Sequence, residues 1–160
     1  MIPEPTALEL VDLGFGQVIG LRAWDPSIGV GSFLTIEFGS PRVTSAGVTQ
    51  GAFHLWIYGS SWSIRKRGNN IATSEQDHAT MATGAHVLDD ALVQGFEFDP
   101  DQMTLTLRLD SDLELIVRPS EDPDMEEWLL YLNDGTVITA GPGMGVVRES
   151  AAASHVQPSE

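Results

Sequence analysis

Two tryptophan-led segments of this chain match each other without a gap. Placing 62–74 (WSIRKRGNNIATS) over 128–140 (WLLYLNDGTVITA) aligns Trp62 with Trp128, with turn residues in the middle of both segments. A duplication constrains the architecture strongly, because both copies must form the same structural unit. Two shorter matches occur upstream in the same order: 34–36 (LTI) with 105–107 (LTL), and 18–21 (VIGL) with 93–96 (VQGF).

Shared strand patterning is the alternative explanation, since all half-buried strands alternate apolar and polar residues. Ordered matches that include the rare tryptophan favour a true repeat. We expect a single β domain over 1–149, with repeat one at about 15–74 and repeat two at about 91–147. Segment 75–92 would connect the copies, and 150–160, which is small, polar and aperiodic, is predicted to be a disordered tail.

The repeat predicts a mainly-β fold, an antiparallel barrel or sandwich with about four strands per copy. At most short helical turns are expected near 75–92, because glycine and several threonines interrupt that segment. Segment 33–38 reads as a half-buried strand. Further strands are predicted at 53–58, 62–65, 103–109, 113–117, 128–132 and 136–139.

Turn residues predict how these strands are joined. Asp110-Ser111-Asp112 suits a short hairpin connection. Asp134-Gly135 is the strongest hairpin signal, and both of its positions are expected to need positive φ. Segments 53–58 and 62–65 are expected to be successive strands joined by a tight turn.

Charge is distributed unevenly between the two halves. The net charge is −15, and residues 1–80 hold seven acids against five bases, whereas 81–160 hold sixteen acids against three bases. An acidic chain is repelled by nucleic acid and by anionic membranes, so neither is expected as a partner. The basic run 65–67 would face the acidic half, within the chain or across a homodimer. No cysteine is present, and with no leader-like start we expect a cytoplasmic protein.

The layout of a small, acidic, cysteine-free chain with repeated strands and W…DG hairpins resembles small β-rich bacterial proteins, among them immunity proteins of toxin systems. The resemblance spans 15–147 in style and brings no diagnostic motif. It implies an inhibitor that covers a basic site of a toxin with an acidic surface. The candidate contact residues are Asp122, Asp124, Glu126 and Glu127.

Aromatic side chains supply a second hypothesis, a ligand pocket near Trp24, Trp56 and Tyr58. Strand aromatics are more often core residues, and the repeat-matched Trp62 and Trp128 are interpreted that way. Trp24, in a loop-like Ala-Trp-Asp-Pro, is the strongest pocket candidate.

Metal and catalytic patterns are weak. The histidines His54, His78, His86 and His155 have no ligand spacing and are interpreted as exposed loop residues. Acid pairs at 99/101, 110/112 and 122/124 lack the calcium-loop pattern. No metal, cofactor or catalytic residue is therefore predicted. A protein-binding module ranks first, a small-ligand-binding β-barrel second and a carboxylate-dependent hydrolase third, with function expected in 99–127, where the copies diverge in charge.

Overall fold

The computed structural model describes residues 3–122, 124–143 and 145–151. The predicted mainly-β class is confirmed. The helices are α1 (Ala7–Phe15) and α2 (His78–Ala85), and a 3₁₀ turn follows at His86–Leu88. The strands are β1 (Ala23–Ile28), β2 (Leu34–Phe38), β3 (Arg42–Val43), β4 (Thr49–Gln50), β5 (Phe53–Ile57), β6 (Ser61–Lys66), β7 (Asn69–Thr73), β8 (Val93–Asp99), β9 (Thr104–Leu109), β10 (Leu113–Arg118), β11 (Trp128–Tyr131), β12 (Thr136–Ala140) and β13 (Val146–Ser150).

The strands form two main antiparallel sheets. Sheet 1 has the order β1-β2-β5-β11-β12-β13, sheet 2 has the order β7-β6-β10-β9-β8, and β3 and β4 form a separate small hairpin. Neither main sheet closes into a barrel, so the barrel alternative is wrong. One hydrophobic core takes side chains from both sheets, as in a sandwich.

Each main sheet combines three strands of one repeat with the hairpin of the other. The β6–β7 hairpin of the first copy pairs with β10, and the β11–β12 hairpin of the second copy pairs with β5. Segments 53–58 and 62–65 are successive strands, as expected, but their three-residue connection carries the chain from sheet 1 to sheet 2. Neither copy completes a sheet without strands from the other.

A helix precedes the three-strand unit in each copy. Segment 75–92 contains the expected short helix, but it begins the second copy instead of merely connecting the two. Helix α1 was not predicted, although Thr6 and Glu9 form a capping box at its start. The copies meet at an antiparallel bridge between Arg22 and Leu92.

This bridge corrects the upstream alignment of the repeat. Residues 18–21 lie in the turn after α1, whereas 93–96 lie in β8, so that predicted match is wrong. Matching Arg22 with Leu92 instead also aligns Gly20 with Asp90, and both have positive φ, 89° and 68°.

The hairpin at 110–112 forms as expected, whereas the one at 133–135 differs from the expected turn chemistry. At 133–135 only Gly135 has positive φ (83°), and Leu132 N–H donates to Thr136 O at 2.8 Å. This is a three-residue loop, so the expectation for Asp134 is wrong. Two successive positive φ values occur instead at Ser111 and Asp112 (60° and 59°).

Sheet 1 is covered on both faces around β2 and β5. Every residue of these strands is buried, so the half-buried prediction for 33–38 is wrong. One face supplies core residues such as Ile36 and Leu55, and the other, here called the outer face, carries Thr35, Glu37, His54 and Trp56. Among the described residues, no helix is long and apolar enough to cross a membrane. The predicted tail lies, beyond Ala151, outside the described residues.

Candidate functional site

A cavity of about 350 Å³ lies on the outer face of sheet 1. Strands β2 and β5 form its floor, while β1 with the turn that follows it and the β3–β4 hairpin form its walls. The lining residues are Asp25, Ser27, Ile28, Gly29, Val30, Phe33, Thr35, Glu37, Thr49, Gln50 and His54. Its volume falls within the range of small-molecule sites.

The floor carries a buried acid–base pair. Glu37 and His54 are cross-strand partners on β2 and β5, and they are only 5% and 4% exposed. Oε1 of Glu37 accepts the Gly51 N–H at 2.8 Å. Oε2 of Glu37 lies against Nδ1 of His54.

Trp56 holds the other side of the imidazole. Its indole N–H donates to Nε2 of His54. Because Nε2 accepts a hydrogen bond, this arrangement suits the tautomer protonated at Nδ1, the nitrogen that faces Glu37. The Tyr131 ring, on β11, lies 6.0 Å from the imidazole ring and 5.0 Å from the indole ring.

An aromatic cluster extends from this pair toward the cavity mouth. Phe33 lines the cavity and makes edge contacts with Trp56 and Tyr58, with ring centroids 5.6 and 5.5 Å apart. Trp56, Leu129, Tyr131 and Val137 form a second hydrophobic cluster, separate from the main core. Such packing restricts the rotamers of the side chains that hold His54.

No protein family, curated protein or solved structure matches this chain.

The structure places the predicted pocket residues around this cavity instead of in it. Trp56 is buried behind His54, and Tyr58 lies 43% exposed beside Phe33. Trp24 is the cross-strand partner of Glu37, but its indole N–H donates to Gly39 O at 2.7 Å and its side chain is not part of the lining.

The predicted acidic contact residues separate into two groups. Asp122 and Asp124 are exposed and Glu126 is half-buried. Glu127 is 4% exposed, and its carboxylate accepts hydrogen bonds from Ser60 Oγ at 2.9 Å and from Ser120 N–H at 2.7 Å. This side chain therefore fastens the 119–127 loop to the body of the protein and does not face a partner.

Two of the three aspartate pairs act within turns. Asp99 Oδ1 accepts the Asp101 N–H at 2.9 Å, and Asp122 Oδ1 accepts the Asp124 N–H at 2.9 Å. These are local side-chain-to-backbone bonds. Within the described ranges, no cluster of three or more histidine, aspartate or glutamate side chains could hold a metal ion.

His54 contradicts the interpretation of the histidines as exposed loop residues, whereas His78 and His86 are exposed and His155 lies outside the described residues. Sequence reasoning missed both Glu37 and His54. The signal was present: each is a titratable residue inside a short apolar strand, LTIEF or FHLWI. A titratable residue within an otherwise apolar strand requires a buried partner or a site.

Proposed function

We propose that this protein binds a small molecule in the cavity on the outer face of sheet 1. One observation carries the proposal: the floor of a 350 Å³ cavity contains a buried glutamate–histidine pair. Burying such a pair costs desolvation free energy, and apolar side chains of similar size often make a protein equally stable or more stable. A mostly apolar cavity with a few positioned polar groups is typical of a ligand site.

The local architecture supports a site that exists before ligand arrives. Glu37 is held by the Gly51 N–H, and His54 is held between Glu37 and Trp56. Both polar side chains lie on interior strands of sheet 1. Strands position side chains more accurately than loops do. The mouth is bounded by more exposed apolar residues, among them Val30 at 95% exposure.

The test is a binding measurement with matched variants. Backbone amide chemical shifts are followed during titration with indole, 2-phenylethanol, 2-phenylethylamine and phenylacetate, for which we expect weak affinities, about millimolar. Thr35→Phe fills the cavity floor. Thr106→Phe makes the same change at the matching position of the second copy, outside the cavity.

We expect at least one probe to shift the Gly29 and Gly51 amides in the wild type and in Thr106→Phe, but not in Thr35→Phe. Thermal unfolding checks that both variants are folded. Shifts that survive in a folded Thr35→Phe, or the absence of shifts with all four probes, would refute the proposal.

A second candidate is inhibition of a basic protein, the function that the resemblance implies. The exposed Asp122 and Asp124, in the half with sixteen acids against three bases, support it. Binding to a purified toxin encoded beside its gene should weaken with salt and with Asp122→Asn/Asp124→Asn. Glu4→Gln/Asp12→Asn removes the same charge from the other half and should bind normally. Equal binding by both double variants would exclude this acidic loop as the contact.

A further inference from the structure

Among the described residues, the titratable side chains that line the cavity are Asp25, Glu37 and His54, and no lysine or arginine lines it. Glu37 lies on the floor, and Asp25 lies on the wall formed by β1. An anionic ligand would therefore meet two carboxylates in a chain whose net charge is already −15. The cavity favours positive charge.

Glu37 retains hydrogen-bonding capacity. A carboxylate can accept about four hydrogen bonds, whereas Glu37 has two neighbours, the Gly51 N–H and the His54 ring. The floor is thus a buried polar surface that its protein neighbours only partly satisfy.

Asp25 is presented to the cavity by an irregular backbone. The β1–β2 register shifts between Trp24 and Ser27, and Asp25 has a φ of 48°. Its N–H points to Asp89 Oδ1 at 3.3 Å, and its own carboxylate has a long 3.4 Å contact with Ser27 Oγ. Left-handed residues at strand bulges often re-aim a side chain toward a site.

The cavity lining also has an apolar part, beside the polar Ser27, Thr35, Thr49 and Gln50. Ile28, Val30 and Phe33 are the apolar side chains of this lining. A ligand that fits these surfaces carries a hydrocarbon or aromatic body next to a positive group.

We propose that the ligand is an organic cation, an ammonium or amidinium group on an apolar body, whose charge lies between Asp25 and Glu37. This inference rests on the proposed ligand-binding function and adds the ligand class. The positive group donates hydrogen bonds to the carboxylates, and the apolar body packs against Phe33 and Ile28.

The experiment compares probes that differ in charge and little else. Dissociation constants are measured by amide-shift titration, with Gly51 as reporter, for 2-phenylethylamine, 2-phenylethanol and phenylacetate, and for benzamidine, benzamide and benzoate. We expect each cation to bind at least tenfold more tightly than its neutral counterpart, and the anions to produce no shifts. Added salt should reduce the difference between the dissociation constants of the cation and of its neutral counterpart, because salt screens the attraction between opposite charges.

Asp25→Asn keeps a residue type that tolerates positive φ and removes one charge. It should weaken the binding of the two cations several-fold and leave the affinity for 2-phenylethanol unchanged. Asp12→Asn, outside the cavity, should change the affinity for neither kind of probe. Equal binding of cation and alcohol, or tighter binding of the anion, would overturn this inference while the ligand-binding function stands. If no probe shifts the cavity amides, the proposed function itself fails.

Discussion

Glu37 on β2 and His54 on β5 lie directly opposite each other, buried on the face of sheet 1 that points away from the main core. The second copy has Arg108 opposite Glu114 at the matching position on sheet 2. There the Arg108 side chain is 45% exposed and contacts Glu97. Both copies therefore place an acidic residue opposite a basic one at this position, but in the first copy the two side chains are buried and in contact, whereas in the second copy Arg108 is half-exposed and contacts Glu97.

The Glu37–His54 pair should be strongly coupled in stability. Glu37→Ala leaves the Gly51 N–H and the His54 ring without their buried partner, and we expect a loss of about 3–5 kcal/mol in the free energy of unfolding. The double variant Glu37→Met/His54→Leu should cost less than the sum of Glu37→Met and His54→Leu measured separately. Urea denaturation of the wild type and these variants measures each value. Additive costs would show that the two side chains do not act as a pair.

Glu127 should matter for stability more than its neighbours in the acidic loop. Glu127→Gln replaces a buried acceptor oxygen with a donor opposite Ser60 or Ser120, and we expect a loss of about 1–3 kcal/mol. Asp124→Asn, on the exposed part of the loop, should change stability by less than about 0.5 kcal/mol. Chemical denaturation of the two variants gives the comparison. If Glu127→Gln leaves the free energy of unfolding unchanged, the carboxylate does not anchor the loop.

The two helix glycines should tolerate alanine unequally. A Cβ on Gly84 would overlap the Ala72 Cβ and approach Ile71 O at 3.4 Å, whereas a Cβ on Gly14 would meet movable side-chain ends, Ile138 Cδ1 at 2.7 Å and Leu130 Cδ2 at 3.0 Å. Overpacking costs about 1–3 kcal/mol, offset by about 1 kcal/mol of helix propensity. Melting temperatures should therefore fall further in Gly84→Ala than in Gly14→Ala. The reverse order would contradict this packing.

The start of α1 should make stability depend on pH in the acid range. Hydrogen bonds from the Thr6 backbone and side chain hold the pKa of Glu9 below its ordinary value of 4.5. A lowered pKa stabilises the fold above the ordinary pKa, and this contribution is lost as the pH falls through the lower, folded-state value. Glu9→Gln should therefore melt at a lower temperature than the wild type at pH 7, and the gap should close as the pH drops below 4.5. Glu4→Gln, outside the capping box, should show no such closing gap.

Much of the fold followed from local patterns. The strands around 34–38, 53–57 and 128–131 were predictable because short runs rich in apolar and aromatic residues lie there between turn residues. Helix α1 could also have been found, since Thr6 and Glu9 have the spacing of a capping box ahead of an apolar run. The candidate site was not found, because alternation identifies two faces of a strand but does not say which outer faces become covered.

The sequence by itself predicted a repeat and determined the antiparallel β class, the positions of most strands and the excess of negative charge, since class and strands follow from local patterns and charge follows from composition. Tertiary structure alone decided that the hairpins exchange between sheets and that Glu37 meets His54. It also decided that Glu127 turns inward while Asp122 remains exposed. The reason is physical: strand register and burial depend on contacts between residues distant in sequence, and no local pattern records which partner a strand will pair with.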